Sequence, residues 1–279
     1  MPKIKYRNHL IISVSGGRSS ALAAMLVYHF KKRYKYRTRT MVFANTGLEN
    51  PLTIKFLMQL EAFLKQKIWK LEFVRVGDTY TYKVIDCWSD LSMDGQPFKE
   101  AIRYHNSRWS TGMPNISAPF CSSLLKKFII RKFSKDYLGT VKYAQCIGYR
   151  AEDMPKRINW AAIKATKGQY IYPLITHYDE PVTSKKLTSI YRSKRFKLEL
   201  PSEIGNCQLC WKKSDKNLHT AIVRDDSTTQ TNIDFYKQME AETLSTSFRG
   251  RRSIDEIIKS SNSSTLTGSE SYGSCDCGV

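Results

Sequence analysis

The chain has 279 residues, 41% of them hydrophobic, enough to bury a substantial core in one large domain or in one domain with appendages. Its 45 Lys and Arg stand against 25 Asp and Glu, and the resulting +20 favours polyanionic partners such as nucleic acid, nucleotides, or sulfated and phosphorylated metabolites. No stretch approaches the length of a membrane span, and the opening "MPKIKYRNHLIISVSGG" breaks at Gly16 before it could form a secretory leader, so the expectation is a cytoplasmic protein with no membrane partner.

Taken in chain order, residues 9–15 ("HLIISVS") form a β-rich apolar run, and residues 18–34 read as a helix. Residues 38–47 ("TRTMVFANTG") predict a strand and a turn, followed by a helix over 51–67 that opens on a proline in its first turn. A third strand is expected at 70–77, a helix at 121–138 and a further strand at 141–150. This alternation predicts an α/β fold: a parallel, Rossmann-like sheet with helices on both faces and ligands at the carboxyl ends of the strands.

Residues 78–118 break the alternation. Their two Trp, several Gly and Pro, and His105 near Arg103 and Arg108 suit an inserted loop that closes over a site. Beyond "YPLI" (172–175) the chain reads as mainly helical over 179–258, and the Ser/Gly-rich stretch 259–279 predicts a mobile tail. The expected organisation is therefore an α/β domain over 1–178, a helical part over 179–258 and the tail.

The stretch "ISVSGGRSS" places Ser15, Gly16, Gly17, Arg18, Ser19 and Ser20 between a strand and a helix. Glycines there let backbone N–H groups and the positive end of a helix dipole approach a phosphate or sulfate, and the serines add hydroxyl donors. The alternative is a tight strand-to-helix turn with a serine cap. Similarly, Asn45-Thr46-Gly47 reads as a site segment or as a turn, and Arg150 and Arg157 as anion ligands or as solvated charges.

Five segments in order carry a resemblance. "SGGRSS" resembles the pyrophosphate-binding loop of the PP-loop superfamily, which includes ATP pyrophosphatases and phosphoadenylyl-sulfate (PAPS) reductases. "FANTGLEN", "APFCSSLLKK", "IGYRAEDMPKR" and "NCQLCWKKS" are similar to later segments of the same superfamily, nearest to its PAPS-reductase-like branch. The resemblance spans roughly residues 9–225. It implies an adenine nucleotide, PAPS or ATP, held by Ser15, Gly16, Gly17, Arg18, Ser19 and Ser20, with Asn45, Thr46 and Gly47 beside it and Arg150 and Arg157 neutralising its charge. This chain departs from the pattern at Ser19, where ATP-cleaving members carry an acidic residue, and at Asn45, where the reductases carry Asp.

Seven cysteines, an odd number in a chain without an export signal, argue for thiol chemistry or metal ligation over a disulfide framework. Cys207 and Cys210 form a C-x-x-C. In iron–sulfur members of the superfamily such a pair and an upstream cysteine ligate a [4Fe–4S] cluster, which here implies Cys121, Cys207 and Cys210. A Cys-Cys pair in those reductases is Cys121-Ser122 in this chain, so a fourth position is left open or is filled from the tail by Cys275 or Cys277. Zinc is the competing metal, and a reduced, metal-free pair the third reading. Cys87 and Cys146 are expected in the core.

The tail's "CDCGV" resembles the E-C-G segment of PAPS reductases, implying Cys277 as the catalytic nucleophile and a thioredoxin-like thiol donor as partner. A second metal-ligand pair accounts for Cys275 and Cys277 equally well. Three functions follow: a PAPS-reductase-like enzyme, an ATP-dependent enzyme that adenylates and thiolates a nucleic-acid base, or a non-catalytic module that binds nucleotide or nucleic acid. The first is preferred on the tail cysteine, and the second draws on the positive charge.

Overall fold

The computed structural model describes residues 8–115, 117–201, 204, 207–224, 226–243, 248–249 and 252–262. The chain builds an α/β fold on one six-stranded, mostly parallel sheet. The strands β1 (His9–Ser13), β2 (Thr38–Asn45) and β3 (Ile68–Val76) are crossed over by α1 (Arg18–His29) and α2 (Pro51–Leu64). β4 (Thr79–Ile85) precedes α3 (Gln96–Trp109). A composite helical segment follows: α4 (Phe120–Ser122), a π-helical stretch over Ser123–Phe128, and α5 (Ile129–Leu138). Then come β5 (Ala144–Cys146), α6 (Trp160–Ala165), β6 (Tyr170–Ile171), α7 (Pro173–Thr176), α8 (Ser184–Arg192), α9 (Asp215–Val223), α10 (Ser227–Thr243) and α11 (Ile254–Asn262).

The strand order is β4-β3-β2-β1-β5-β6, parallel throughout except for β4, which runs antiparallel to β3. Order reverses between β1 and β5, because the chain first builds outward through β2 and β3 and later returns to the other side of β1. In an open parallel sheet that reversal leaves a crevice at the carboxyl ends of the two strands, since their following loops diverge to opposite faces.

Alternation along the strands feeds two cores. Ile11, Val42, Ala44, Leu71 and Phe73 point to one face, where α3, α5, α9, α10 and α11 supply Ile102, Phe133, Leu218, Tyr236 and Ile254. Leu10, Ile12, Met41, Phe43 and Ile68 point to the other, against Ala24 and Leu26 of α1, Leu57 of α2 and Tyr191 of α8. The sheet is thus the middle of three layers, and the helices after residue 178 pack on its two faces.

Three expectations are corrected. The stretch 78–118 is not an irregular insertion: "TYTYKVI" folds back on β3 through the two-residue turn Gly77-Asp78, with Val76 paired to Thr79, and α3 packs its apolar side under the sheet. Gly77 takes φ 55, the left-handed conformation that a two-residue hairpin turn requires. His105 accordingly sits on a helix and stacks on Phe120 at 3.8 Å, where burial pulls its pKa down. Cys87 is exposed rather than buried, because the chain leaves the sheet after Ile85, whereas Cys146 lies in the core as expected. The last helix runs to Asn262, beyond the predicted start of the tail, since Ile254 and Ile257 anchor it and the Ser261 hydroxyl donates to the Ile257 carbonyl. Among the described residues, no helix is long and apolar enough to cross a membrane.

Candidate functional site

The glycine loop leaves β1 at the sheet's carboxyl edge. Gly16 has φ 76, and a Cβ built on it would lie 2.1 Å from Cγ2 of Thr53 on α2, so both conformation and packing demand glycine. Gly17 is extended at φ -90, and a Cβ there would meet only Ser15 Oγ, at 3.8 Å. The loop is braced from within: the Ser15 N–H donates to Ser20 Oγ at 3.1 Å, and that hydroxyl donates to the Gly17 carbonyl at 3.1 Å. Tyr191 of α8 adds an outer brace, its hydroxyl donating to the Arg18 carbonyl at 2.9 Å.

The serine-cap alternative for this loop does not hold, because no side chain caps α1 and its first turn carries no acidic residue. Helices α2, α8 and α9 are capped, by Asn50, Thr183 and Ser214. The first turn of α1 therefore starts without a side-chain cap, beside half-buried Ser15, Gly17, Arg18 and Ser19 at the carboxyl end of β1, an arrangement suited to an anion. Across the crevice Gly148 follows β5. A Cβ there would come within 2.9 Å of Ser20 N and Cα, so the "IGYR" segment presses its backbone directly on the loop.

Arg150 and Arg157 lie on that neighbouring segment, and both are already engaged. Arg157 pairs with Asp153 at 3.1 Å and covers the Tyr149 ring, and Arg150 donates to Ser184 Oγ at 2.9 Å beside Glu152 and Asp153. An anion in the crevice would meet cations partly neutralised by these carboxylates.

At the carboxyl end of β2, Asn45 is fully buried. Its amide donates to Glu72 Oε1 at 2.6 Å and to the Ser92 carbonyl at 2.8 Å, and its Oδ1 accepts from the Gly47 N–H at 3.1 Å. Asn45 shapes the turn, and Gly47 (φ 84) is pressed against Gly95. Thr46 points instead into a cleft. Its N–H and hydroxyl donate to the Glu49 carboxylate, the hydroxyl at 2.8 Å, and the same Oγ1 lies 3.3 Å from Cys207 Sγ.

That cleft gathers what the sequence scatters. Cys121 at the start of the α4 segment, Cys207 and Cys210 all line it, together with Lys126 and Lys212 and the aromatic rings of Phe98, Trp211 and Tyr236. The C-x-x-C is locked to the connection between β2 and α2 by backbone pairing of Cys207 with Glu49 and by Asn50 Nδ2, which donates to Gln208 Oε1 at 3.0 Å. The buried Lys213 ammonium ties the turn by donating to the Gln208 carbonyl at 2.9 Å. Lys126 enters from the π-helical stretch, where the widened turn changes the direction of successive side chains.

Sequence reading missed Glu49. Burial pushes its carboxyl above the ordinary range, against the opposing pull of the Lys126 charge and the Thr46 hydrogen bonds. A carboxylate three residues past Thr46 was the only available signal. Trp211 was likewise unassigned, and its buried indole N–H finds no acceptor among the described residues.

Thiols are the donors that iron–sulfur clusters and zinc select, and three of them share this cleft. Among the described residues, however, no three of His, Cys, Asp or Glu stand close enough together to hold an ion. Cys275 and Cys277, the expected tail ligand and nucleophile, lie outside the described residues.

The chain matches no family model, and no solved structure matches it. It is similar to the uncharacterized nin region protein ORF290 of Escherichia phage lambda, 25% identical over 266 residues, which cover 89% of this chain and 83% of that protein. A match of that length reaches into the helical part that carries the C-x-x-C.

Proposed function

We propose that this chain is a nucleotide-dependent enzyme of the PP-loop type, nearest to the PAPS reductases, that carries out thiol-dependent reduction or sulfur transfer. The observation that carries the reading is the adjacency of two sites at one sheet edge. Uncapped N–H groups follow β1, and Thr46, at the end of neighbouring β2, contacts a cysteine of the thiol cleft. Phosphate or sulfate oxygens would take the α1 N–H groups, and the cleft would supply sulfur chemistry next door.

In the reductase reaction a thiolate, Cys277 on the resemblance, attacks the sulfate sulfur of PAPS and displaces adenosine bisphosphate. A second thiol, from a thioredoxin-like donor, then attacks the cysteine sulfur and releases sulfite, leaving a disulfide; the two electrons lost by the thiols depart with the sulfite, whose sulfur has been reduced from the sulfate level. Thr46 and Glu49 offer Cys207 a hydrogen-bonded path for a proton: the threonine hydroxyl donates to the carboxylate and is free to accept from the thiol. Cys121, Cys207 and Cys210 line one cleft without standing close enough to hold an ion as they are, so a [4Fe–4S] cluster or zinc would need them to draw together, and it would then supply an electrophilic site for sulfur.

The second reading is ATP-dependent adenylation and thiolation of a nucleic-acid base, favoured by the +20 charge. Incubation with PAPS plus a dithiol, and separately with ATP plus RNA, distinguishes the two. Sulfite release supports the reductase and pyrophosphate release the thiolase, and neither product rules out both. Metal analysis of anaerobically purified protein tests the cleft. The expected result is iron with acid-labile sulfide, or zinc, lost in Cys207→Ser. Metal content unchanged by Cys207→Ser would remove this cysteine as a ligand.

A further inference from the structure

We infer a second binding surface, a groove for single-stranded nucleic acid at the opposite edge of the sheet. It does not rest on the nucleotide reading above. The groove is walled by the turn over 30–37, which leads into β2, and by the segment 163–172, which leads into and through edge strand β6. Loops that lead into parallel strands share the amino edge, so both walls lie away from the glycine loop, which follows a strand.

The charge is one-sided. Arg33 and Lys35 on one wall and Lys164 and Lys167 on the other are all exposed, and among the described residues no Asp or Glu lines the groove. None of the four forms an ion pair with a carboxylate among the described residues, whereas many other cations of this protein do, including Arg103, Arg150, Arg157 and Arg249. Arg33 is held in place by donating to the Thr176 carbonyl at 2.5 Å. Four cations spread over two walls match a run of phosphates better than one compact anion, which would need them to converge.

Aromatic rings line the same groove as the cations. Tyr36 and Tyr170 line the groove half-buried. Tyr170 is backed by Tyr172 at 6.3 Å and Tyr172 by Tyr149 at 6.0 Å, a stack that fixes the outer ring. Ring faces beside a cationic track are the chemistry that binds unpaired bases, while duplex bases stay stacked on each other and cannot reach such rings.

The test is fluorescence anisotropy with labelled single strands of about 12 nucleotides, RNA and DNA, and the matching duplex. Wild-type protein should bind a single strand of either kind, more weakly as salt rises, and more tightly than the duplex. The triple variant Lys35→Glu/Lys164→Glu/Lys167→Glu should lose at least ~30-fold in affinity, while the same reversal at exposed Arg131, Lys132 and Lys135 of α5 loses much less. Tyr36→Ala should lose roughly 5-fold or more, with Tyr36→Phe close to wild type, because stacking needs the ring and not the hydroxyl. Absence of single-strand binding, equal loss from the α5 reversal, equal or tighter duplex binding, or unchanged affinity in Tyr36→Ala would each overturn the inference.

Discussion

The glycine loop draws Ser15, Gly16, Gly17 and Ser20 from six consecutive residues, whereas the thiol cleft draws Thr46, Cys121, Cys207 and Cys210 from separate parts of the chain. The loop's shape is set by backbone conformation and by internal hydrogen bonds that span at most five residues, with the Tyr191 hydroxyl as an outer brace. The cleft's shape depends on Glu49 pairing with Cys207, a contact across 158 positions for the neighbouring Asn50–Gln208 bond. A local device tolerates change anywhere except where the backbone or a close neighbour forbids it. An assembled one depends on the whole fold and is held by a few buried polar contacts.

The largest expected effect tests the loop at its tightest point. Gly16→Ala should cost about 3 kcal/mol or more, from a strained positive φ and from a Cβ that β-branched Thr53, stiff in its helix, cannot avoid. Urea denaturation measures it, and a neutral result would show that the loop is not rigid.

An intermediate effect probes the cleft. Glu49 has a raised pKa in the fold, so folding takes up a proton at pH values where the unfolded side chain has lost its own. Its contribution is fully present below the ordinary carboxylate pKa of about 4.3 and is lost as pH rises through the higher folded value. Wild-type protein should therefore lose stability across that window more steeply than Glu49→Gln, when unfolding is followed at a series of pH values. Parallel curves would mean that Glu49 does not titrate as the cleft requires.

The smallest effect on stability falls one residue from the largest. Gly17→Ala makes one ordinary contact, with Ser15 Oγ, at an ordinary backbone angle and should change stability by about 0.5 kcal/mol or less. A larger side chain, Gly17→Val, should still fold but bind adenine nucleotide at least ~10-fold more weakly in calorimetry, because the crevice it enters is where the phosphate would lie. Unchanged affinity would sever the loop from nucleotide binding and leave the neighbouring residues as a structural turn.

Much of the framework was legible from local pattern. Short β-rich apolar runs placed β1, β2 and β3 to within a few residues, and the proline at the start of α2 marked its first turn. Residues 78–118 were misread because Trp, Gly, Pro and His masked an alternating strand and an amphipathic helix. The Gly77-Asp78 turn that reverses the chain was visible but carried no sign that a strand would follow it. Among the cysteines, spacing named Cys207 and Cys210, the resemblance added Cys121, and the fold places all three on one cleft.

What the sequence determined by itself was therefore the order of the first three strands and the two helices between them, the glycine-shaped turn after β1 and the excess of positive charge, since each depends on residues near one another in the chain. Tertiary structure alone decided that Arg150 and Arg157 face Asp153, that Asn45 supports a turn instead of facing a ligand, that Glu49 is buried beside Cys207, and that four cations gather without carboxylates at the amino edge. Those outcomes depend on which distant segments meet, and burial and pairing at such meetings are properties of the packed chain that no local pattern encodes.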